Sequence, residues 1–202
     1  MPTPFYRLVG IVSWPLMHGL FRLDARGVEN LPEGGFVLAA NHTSNFDPWP
    51  LGWPLWPRRQ LHFMAKAELF NPILGPPLRA GGAFPVRRGE QDLEAIEASV
   101  KLCREGKIVA MFPEGTRRAK GIVKKFEHRP RTGAARIALA ARVPLVPAAI
   151  DGTDRLSRLP KLKVAYGPPV RTDDLAGMTP RDASREATDR LMRDIYALYG
   201  AL

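Results

Sequence analysis

A chain of 202 residues, 45% apolar and 25% charged, has the length and balance of one folded domain with a sizeable core, which excludes wholesale disorder. Its single cysteine, Cys103, excludes an internal disulfide framework and a cysteine-built zinc site. A formal charge of +10 attracts anionic lipid, nucleic acid or phosphorylated substrates without choosing among them.

The amino terminus, "FYRLVGIVSWPLMHGLFRLDARG", carries an apolar run from residue 8 to 21, interrupted by Ser13, Pro15 and His18. It is shorter than the roughly 20 residues a bilayer crossing needs, and no small-residue cleavage site follows it. Two readings fit. With Trp14, Phe21 and the flanking Arg7, Arg22 and Arg26 it suits an element lying in a membrane interface; equally, it suits a core-covering helix kinked at Pro15. A boundary after Arg26 separates this segment, 1–26, from a domain of 27–202.

Beyond the boundary, "GGFVLAAN" reads as a buried strand introduced by the turn chemistry of "LPEGG", and "LHFMAK" as a second, shorter one. "GGAFPVRRGE" reads as another strand end, with Arg87 and Arg88 at its tip. From Asp92 to Arg104 the apolar residues Leu93, Ile96, Val100 and Cys103 recur at helical spacing, and Cys103 there is an inert core residue. "KIVAMF" is a strand, "GAARIALAARV" a helix, and "PLVPAAI" and "KLKVAYG" are strands. A last helix takes Thr179 as its N-cap, with Pro180 first inside and an apolar side of Leu191, Ile195, Leu198 and Tyr199. Strands alternating with helices predict an α/β layered fold with a parallel or mixed sheet, in which chemistry gathers in loops at strand ends.

The loop "NHTSNFD" occupies such a place. His42 and Asp47 are five positions apart, about 140° around an unbroken helix, so they meet only if His42 ends the loop and Asp47 begins a following helix. Thr43 and Ser44 offer cap oxygens for that start. A carboxylate accepting from one ring nitrogen would leave the other nitrogen free as a general base. The alternative is a solvated capping loop. No serine or cysteine stands in a nucleophile-elbow pattern, so such a base would act on a substrate hydroxyl.

After "KIVAMF" comes a strongly basic run. Between Arg117 and Arg131 stand Arg117, Arg118, Lys120, Lys124, Lys125, Arg129 and Arg131, with Glu127 as the one acidic residue. Gly115 lets backbone approach a ligand closely and Arg117 can grip a phosphate bidentately. Lys120 and Lys124 are further anion contacts on this reading. The four histidines show no metal-ligand spacing, and His62 and His128 read as structural or surface residues. No recognition helix, zinc pattern or aromatic-basic platform points to nucleic acid.

In order, "GVENLPEGGFVLAANHTSNFDP", "GGAFPVRRG", "FPEGTRR" and "VPLVPAAI" resemble the four blocks of the lysophosphatidic acid (1-acylglycerol-3-phosphate) acyltransferase family, over about Gly27 to Pro169. The resemblance implies a glycerol-phosphate acyltransferase-like α/β fold and acyl transfer to a lysophospholipid hydroxyl. The acyl thioester donor, acyl-CoA or acyl-carrier protein, would be a co-substrate, with no cofactor and no metal. It implies His42 as catalytic base, Asp47 as its orienting partner, and Arg87, Glu114, Gly115, Thr116 and Arg117 as acceptor- and phosphate-binding residues. Pro144 and Pro147 fall in the fourth block. Arg118 replaces the serine that often follows "EGTR", and "KKFEHRPRTGAARIA" is longer and more basic than the usual link. The same chemistry on another lipid or glycolipid hydroxyl is therefore the alternative, and a non-catalytic binder of anionic lipid the second. The apolar amino terminus and the charge together place the chain, by expectation, as a monotopic protein on the anionic cytoplasmic face of the cell membrane.

Overall fold

The computed structural model describes residues 1–86, 93–114 and 130–202. Among these, seven strands form one sheet: β1 (Asp24–Arg26), β2 (Phe36–Ala40), β3 (Leu61–Lys66), β4 (Ala83–Val86), β5 (Ile108–Met111), β6 (Leu145–Asp151) and β7 (Lys163–Tyr166). Their order across the sheet is β1-β7-β6-β2-β5-β3-β4, and every pair is parallel except β6 with β7. The sheet is thus largely parallel and mixed, with helices on both faces, as the alternation of elements predicts.

β2 lies between β5 and β6 and is buried along its whole length, which is why its sequence is a continuous apolar run rather than an alternating one. Val37, Ala39 and Val109 look toward α4 (Leu93–Arg104), α5 (Gly133–Ala141) and α6 (Pro180–Gly200). Cys103 sits in this layer, and burial pushes its thiol up to about 12. Phe36, Leu38, Ala40, Ile108 and Val146 face the opposite way, onto Leu51 and Leu55. Leu51 belongs to α2 (Pro48–Gly52), and the buried Tyr166 hydroxyl donates to its carbonyl at 2.7 Å.

The amino-terminal helix α1 (Pro4–Pro15) continues into one π-helical turn, Leu16–Leu20, so the change of form falls at Pro15. Thr3 caps α1, accepting from the Tyr6 N–H at 3.1 Å, and donates its hydroxyl to the Ala80 carbonyl at the end of α3 (Gly75–Ala80). Met17 and Phe21 close on Trp53 and Leu162. The segment therefore covers core, while Leu8, Ile11, Val12 and Trp14 point outward. Residues 24–26, placed by sequence at the end of the amino-terminal segment, are the edge strand of the same sheet. No helix among the described residues is long and apolar enough to cross a membrane.

Candidate active site

Five strands run parallel, so their carboxyl ends collect at one edge of the sheet. There β2 delivers Asn41 and His42, its neighbour β5 delivers Phe112, Pro113 and Glu114, and its other neighbour β6 delivers Asp151, Gly152 and Thr153. Asn41 prolongs the ladder beyond β2. Its side-chain amide donates to the Ile150 carbonyl at 2.9 Å and accepts the Ile150 N–H at 2.8 Å, standing in for a peptide group. His42 is thereby held at a fixed height above the sheet.

The prolines of "DPWP" then decide where Asp47 points. An N-cap carboxylate ordinarily takes the N–H of the second or third helical residue. In α2 the third is Pro50, which has none, and the second, Trp49, donates to the Phe46 carbonyl at 2.9 Å. Asp47 stands at the N-cap position and makes no cap bond. Its carboxylate turns back into the loop, where Oδ2 accepts from His42 Nδ1 at 2.7 Å, the Thr43 N–H at 2.7 Å and the Ser44 N–H at 2.9 Å. Oδ1 accepts the Thr153 hydroxyl. The expected roles of Thr43 and Ser44 are thus reversed: their backbone donates to Asp47, and neither hydroxyl caps α2. The same two N–H groups, being engaged, do not stand open for a substrate oxyanion.

Asp47 is fully buried whereas the His42 side chain keeps 18% of its surface. Burial works to raise the Asp47 pKa; the donors from His42, Ser44, Thr153 and Thr43 outweigh it and hold the carboxyl below its ordinary value. An ionised Asp47 can only accept, so Nδ1 must carry a proton, and Nε2 is the nitrogen left for a reacting group. The Phe112 ring stacks on the imidazole with centroids 4.2 Å apart and planes within 21°. That contact fixes the ring plane from the β5 side. A lone pair fixed in direction and paired with a buried carboxylate is the arrangement a general base requires.

Of the residues assigned by the family resemblance, the structure joins His42 and Asp47 and places Glu114, half-buried, two residues beyond Phe112. Arg87, Gly115, Thr116, Arg117, Lys120 and Lys124 lie outside the described residues, as do His128 and most of the basic run. β4 ends at Val86, three strands from β2, roughly 14 Å at ordinary strand spacing. Pro147 lies inside β6, in register with Ala39, so the fourth block builds the sheet beside the histidine. His62 lies in β3, where burial lowers its pKa. Asn41, Phe112 and Thr153 are site residues that sequence reasoning did not single out; the first two adjoin motif residues, whereas nothing local marks the third.

Comparison with known proteins identifies the family. A family model described as Acyltransferase matches residues 22–151. A 1-acyl-sn-glycerol-3-phosphate acyltransferase of Bacillus subtilis is 36% identical over 179 residues, 86% of either chain. A protein of the same name from Streptococcus pneumoniae is 28% identical over 85% of this chain and 63% of its own. The crystal structure of the 1-acyl-sn-glycerophosphate (LPA) acyltransferase PlsC from Thermotoga maritima superposes with a TM-score of 0.66, covering 96% of this chain and 78% of that one at 24% identity, and shares the fold. With the family model spanning well over half of its residues, this chain belongs to the acyltransferase family and is an acyltransferase enzyme of lipid biosynthesis.

Proposed function

We propose that the enzyme transfers an acyl chain from an acyl thioester, acyl-CoA or acyl-carrier protein, to the free hydroxyl of 1-acylglycerol-3-phosphate, giving phosphatidic acid, with His42 as general base. The observation that carries this reading is the 2.7 Å bond from His42 Nδ1 to the buried Asp47 carboxylate at the end of the central strand. The names of the Bacillus and Streptococcus relatives support the acceptor.

In this mechanism Nε2 takes the acceptor hydroxyl proton as its oxygen attacks the thioester carbonyl. Asp47 stabilises the imidazolium so formed. The tetrahedral intermediate collapses with cleavage of its C–S bond, and the departing thiolate takes the proton from the imidazolium; a thiol pKa of about 8.5 makes it a far better leaving group than an alkoxide. The nucleophile comes from substrate, since Cys103 is buried with its Sγ 3.8 Å from the Phe36 carbonyl. Arg87 and the Glu114–Arg117 block would hold the acceptor phosphate, with Lys120 and Lys124 as further anion contacts, and such positioning can supply several kcal/mol of the barrier reduction. The scheme uses no metal and no cofactor beyond the thioester. The outward apolar side of α1 and the charge of +10 support a monotopic seat on an anionic cytoplasmic membrane surface, where lysolipid is found.

Thiol release from an acyl thioester, with and without lysophosphatidic acid, tests the reading in wild type and His42→Ala. Acceptor-dependent release that vanishes in the variant is expected. Release only with other lipid hydroxyls would keep the mechanism and change the acceptor. No release with any acceptor, from folded protein, would overturn the proposed reaction.

A further inference from the structure

Thr153 follows β6, 106 positions after Asp47 in sequence, and the family match ends at Asp151. Gly152, at φ +97°, turns the chain sharply out of the strand, and Thr153 comes back under the loop that follows β2. The side chain is 2% exposed. Its Oγ1 donates to Asp47 Oδ1 and stands 3.0 Å from Thr43 Oγ1.

Proton counting fixes the direction of these bonds. Ionised Asp47 has no proton to give, so Thr153 spends its single hydroxyl proton on Oδ1. Thr43 Oγ1, 3.3 Å from Oδ1, then gives its own proton to Thr153 or to Asp47. Oδ2 already accepts three N–H groups, all from residues 42–44 of its own loop. Among the described residues Thr153 is the one donor from another part of the fold, and it sets the second point that fixes the plane of the carboxylate. We infer that Thr153 is a positioning residue of the acyl-transfer site, setting through Asp47 both the aim and the basicity of His42. This rests on the reading of His42 as the base.

The consequence has a sign. Without the hydroxyl, the charge on Oδ1 is less dispersed, so the carboxylate attracts the proton of the His42 N–H more strongly while its plane is no longer fixed. Among the described residues, the other charged groups on the flanking elements are Glu114 beyond β5, Asp151 at the end of β6, and Asp154 and Arg155 beyond it. Arg155 pairs with Asp151 at 2.9 Å and Asp154 at 3.2 Å. Thr153 variants leave all four in place.

The test is the pH dependence of thioester turnover for wild type, Thr153→Val, Thr153→Ser and His42→Ala. Thr153→Val should lower kcat by about tenfold, because a carboxylate free to turn no longer holds the imidazole in its productive aim. It should raise the midpoint of the acid limb by about 0.5–1 unit. KM for thioester and acceptor should stay within about twofold, because uniform substrate binding is untouched. Thr153→Ser should restore both kcat and the limb. Thr153→Ala carries the same expectation and keeps the inference open to refutation if the valine variant does not fold. An unmoved acid limb, a loss confined to KM, or failure of serine to rescue would overturn the positioning role. His42→Ala separates the two ideas. If it is inactive while Thr153→Val behaves as wild type, only the role of Thr153 falls; if it turns over normally, the base assignment falls and this inference with it.

Discussion

Asp47→Asn isolates the charge behind His42 while sparing the fold. The amide oxygen can take the Oδ2 position, where the His42, Thr43 and Ser44 donors converge, because an NH2 group there would meet three N–H groups head-on. The NH2 then faces Thr153, whose hydroxyl can turn and accept. Tautomer and ring orientation survive, and what disappears is the negative charge opposite the imidazolium. Two unit charges about 4 Å apart at an effective dielectric near 20 interact by roughly 4 kcal/mol. A hydrogen bond to an ionised group is worth about 1–2 kcal/mol more than a neutral one. A loss between about 2 and 4 kcal/mol lowers kcat by about 30- to 1,000-fold, with KM little changed. Steady-state thiol release measures this, alongside a thermal melt. The same variant has an acid-side signature. Because the folded Asp47 pKa lies below its unfolded value, the stability it contributes is present above about pH 4 and lost as pH falls through the folded value. The asparagine variant should lack that share of the acid-side decline, keeping those of Asp24 and Asp174, whose carboxyls are also lowered by arginine and lysine partners. Turnover within about fivefold of wild type, from a protein with an unchanged melt, would refute the assignment of Asp47 as the electrostatic partner of the base.

Three further outcomes are expected. Gly82 sits at φ +97° and a Cβ there would lie 2.2 Å from the Leu61 carbonyl, so Gly82→Ala should destabilise by about 2–4 kcal/mol in denaturant melts, whereas an unchanged midpoint would mean that the β3–β4 edge shifts freely. Ile11 and Val12, 61% and 65% exposed, face away from the body, and Ile11→Glu with Val12→Glu should abolish binding to anionic vesicles while leaving the melt intact; retained binding would remove α1 from the membrane contact. Deleting the whole segment is a poorer probe, since it would uncover Trp53 and Leu162. Cys103, 2% exposed with its thiol pushed up to about 12, should not react with a disulfide reagent at neutral pH until denaturant is added; fast reaction of native protein would contradict the packing of α4 on β2.

Legibility in the sequence tracks how local each structural cause is. β2, β5 and β6 are buried on both faces, so their residues had to form apolar runs, and the runs were readable. The cap of α6 was readable too: Thr179 accepts the Asp182 N–H and donates to its carboxylate at 2.7 Å. β1 was not. Its three residues, Asp-Ala-Arg, carry no strand pattern, and they are a strand only because β7 lies alongside them. Nor was α3, whose Gly-Pro-Pro start reads as a turn. Tyr199, expected on the apolar side of α6, is exposed, although Leu198 beside it still packs near Gly167 just after β7.

The same rule governs the site. His42 and Asp47 share one short loop, and five residues sufficed to pose the question of whether they meet. The answer depends on donors that are withheld: Pro50 has no N–H, that of Trp49 is taken by the Phe46 carbonyl, and so Asp47 is released toward the imidazole. That step was written in the sequence as "DPWP", but proline counts there as chemistry withheld, which a search for matching functional groups passes over. Thr153 is the opposite case. Its chemistry is an ordinary hydroxyl, and its placement requires β6 beside β2, a left-handed glycine after β6, and Asn41 locking the two strand ends in register. None of these conditions is local to position 153. On the proposed reading of His42 as base, its pairing with Asp47 is posed by one loop, while its alignment through Thr153 depends on the packing of the whole parallel core.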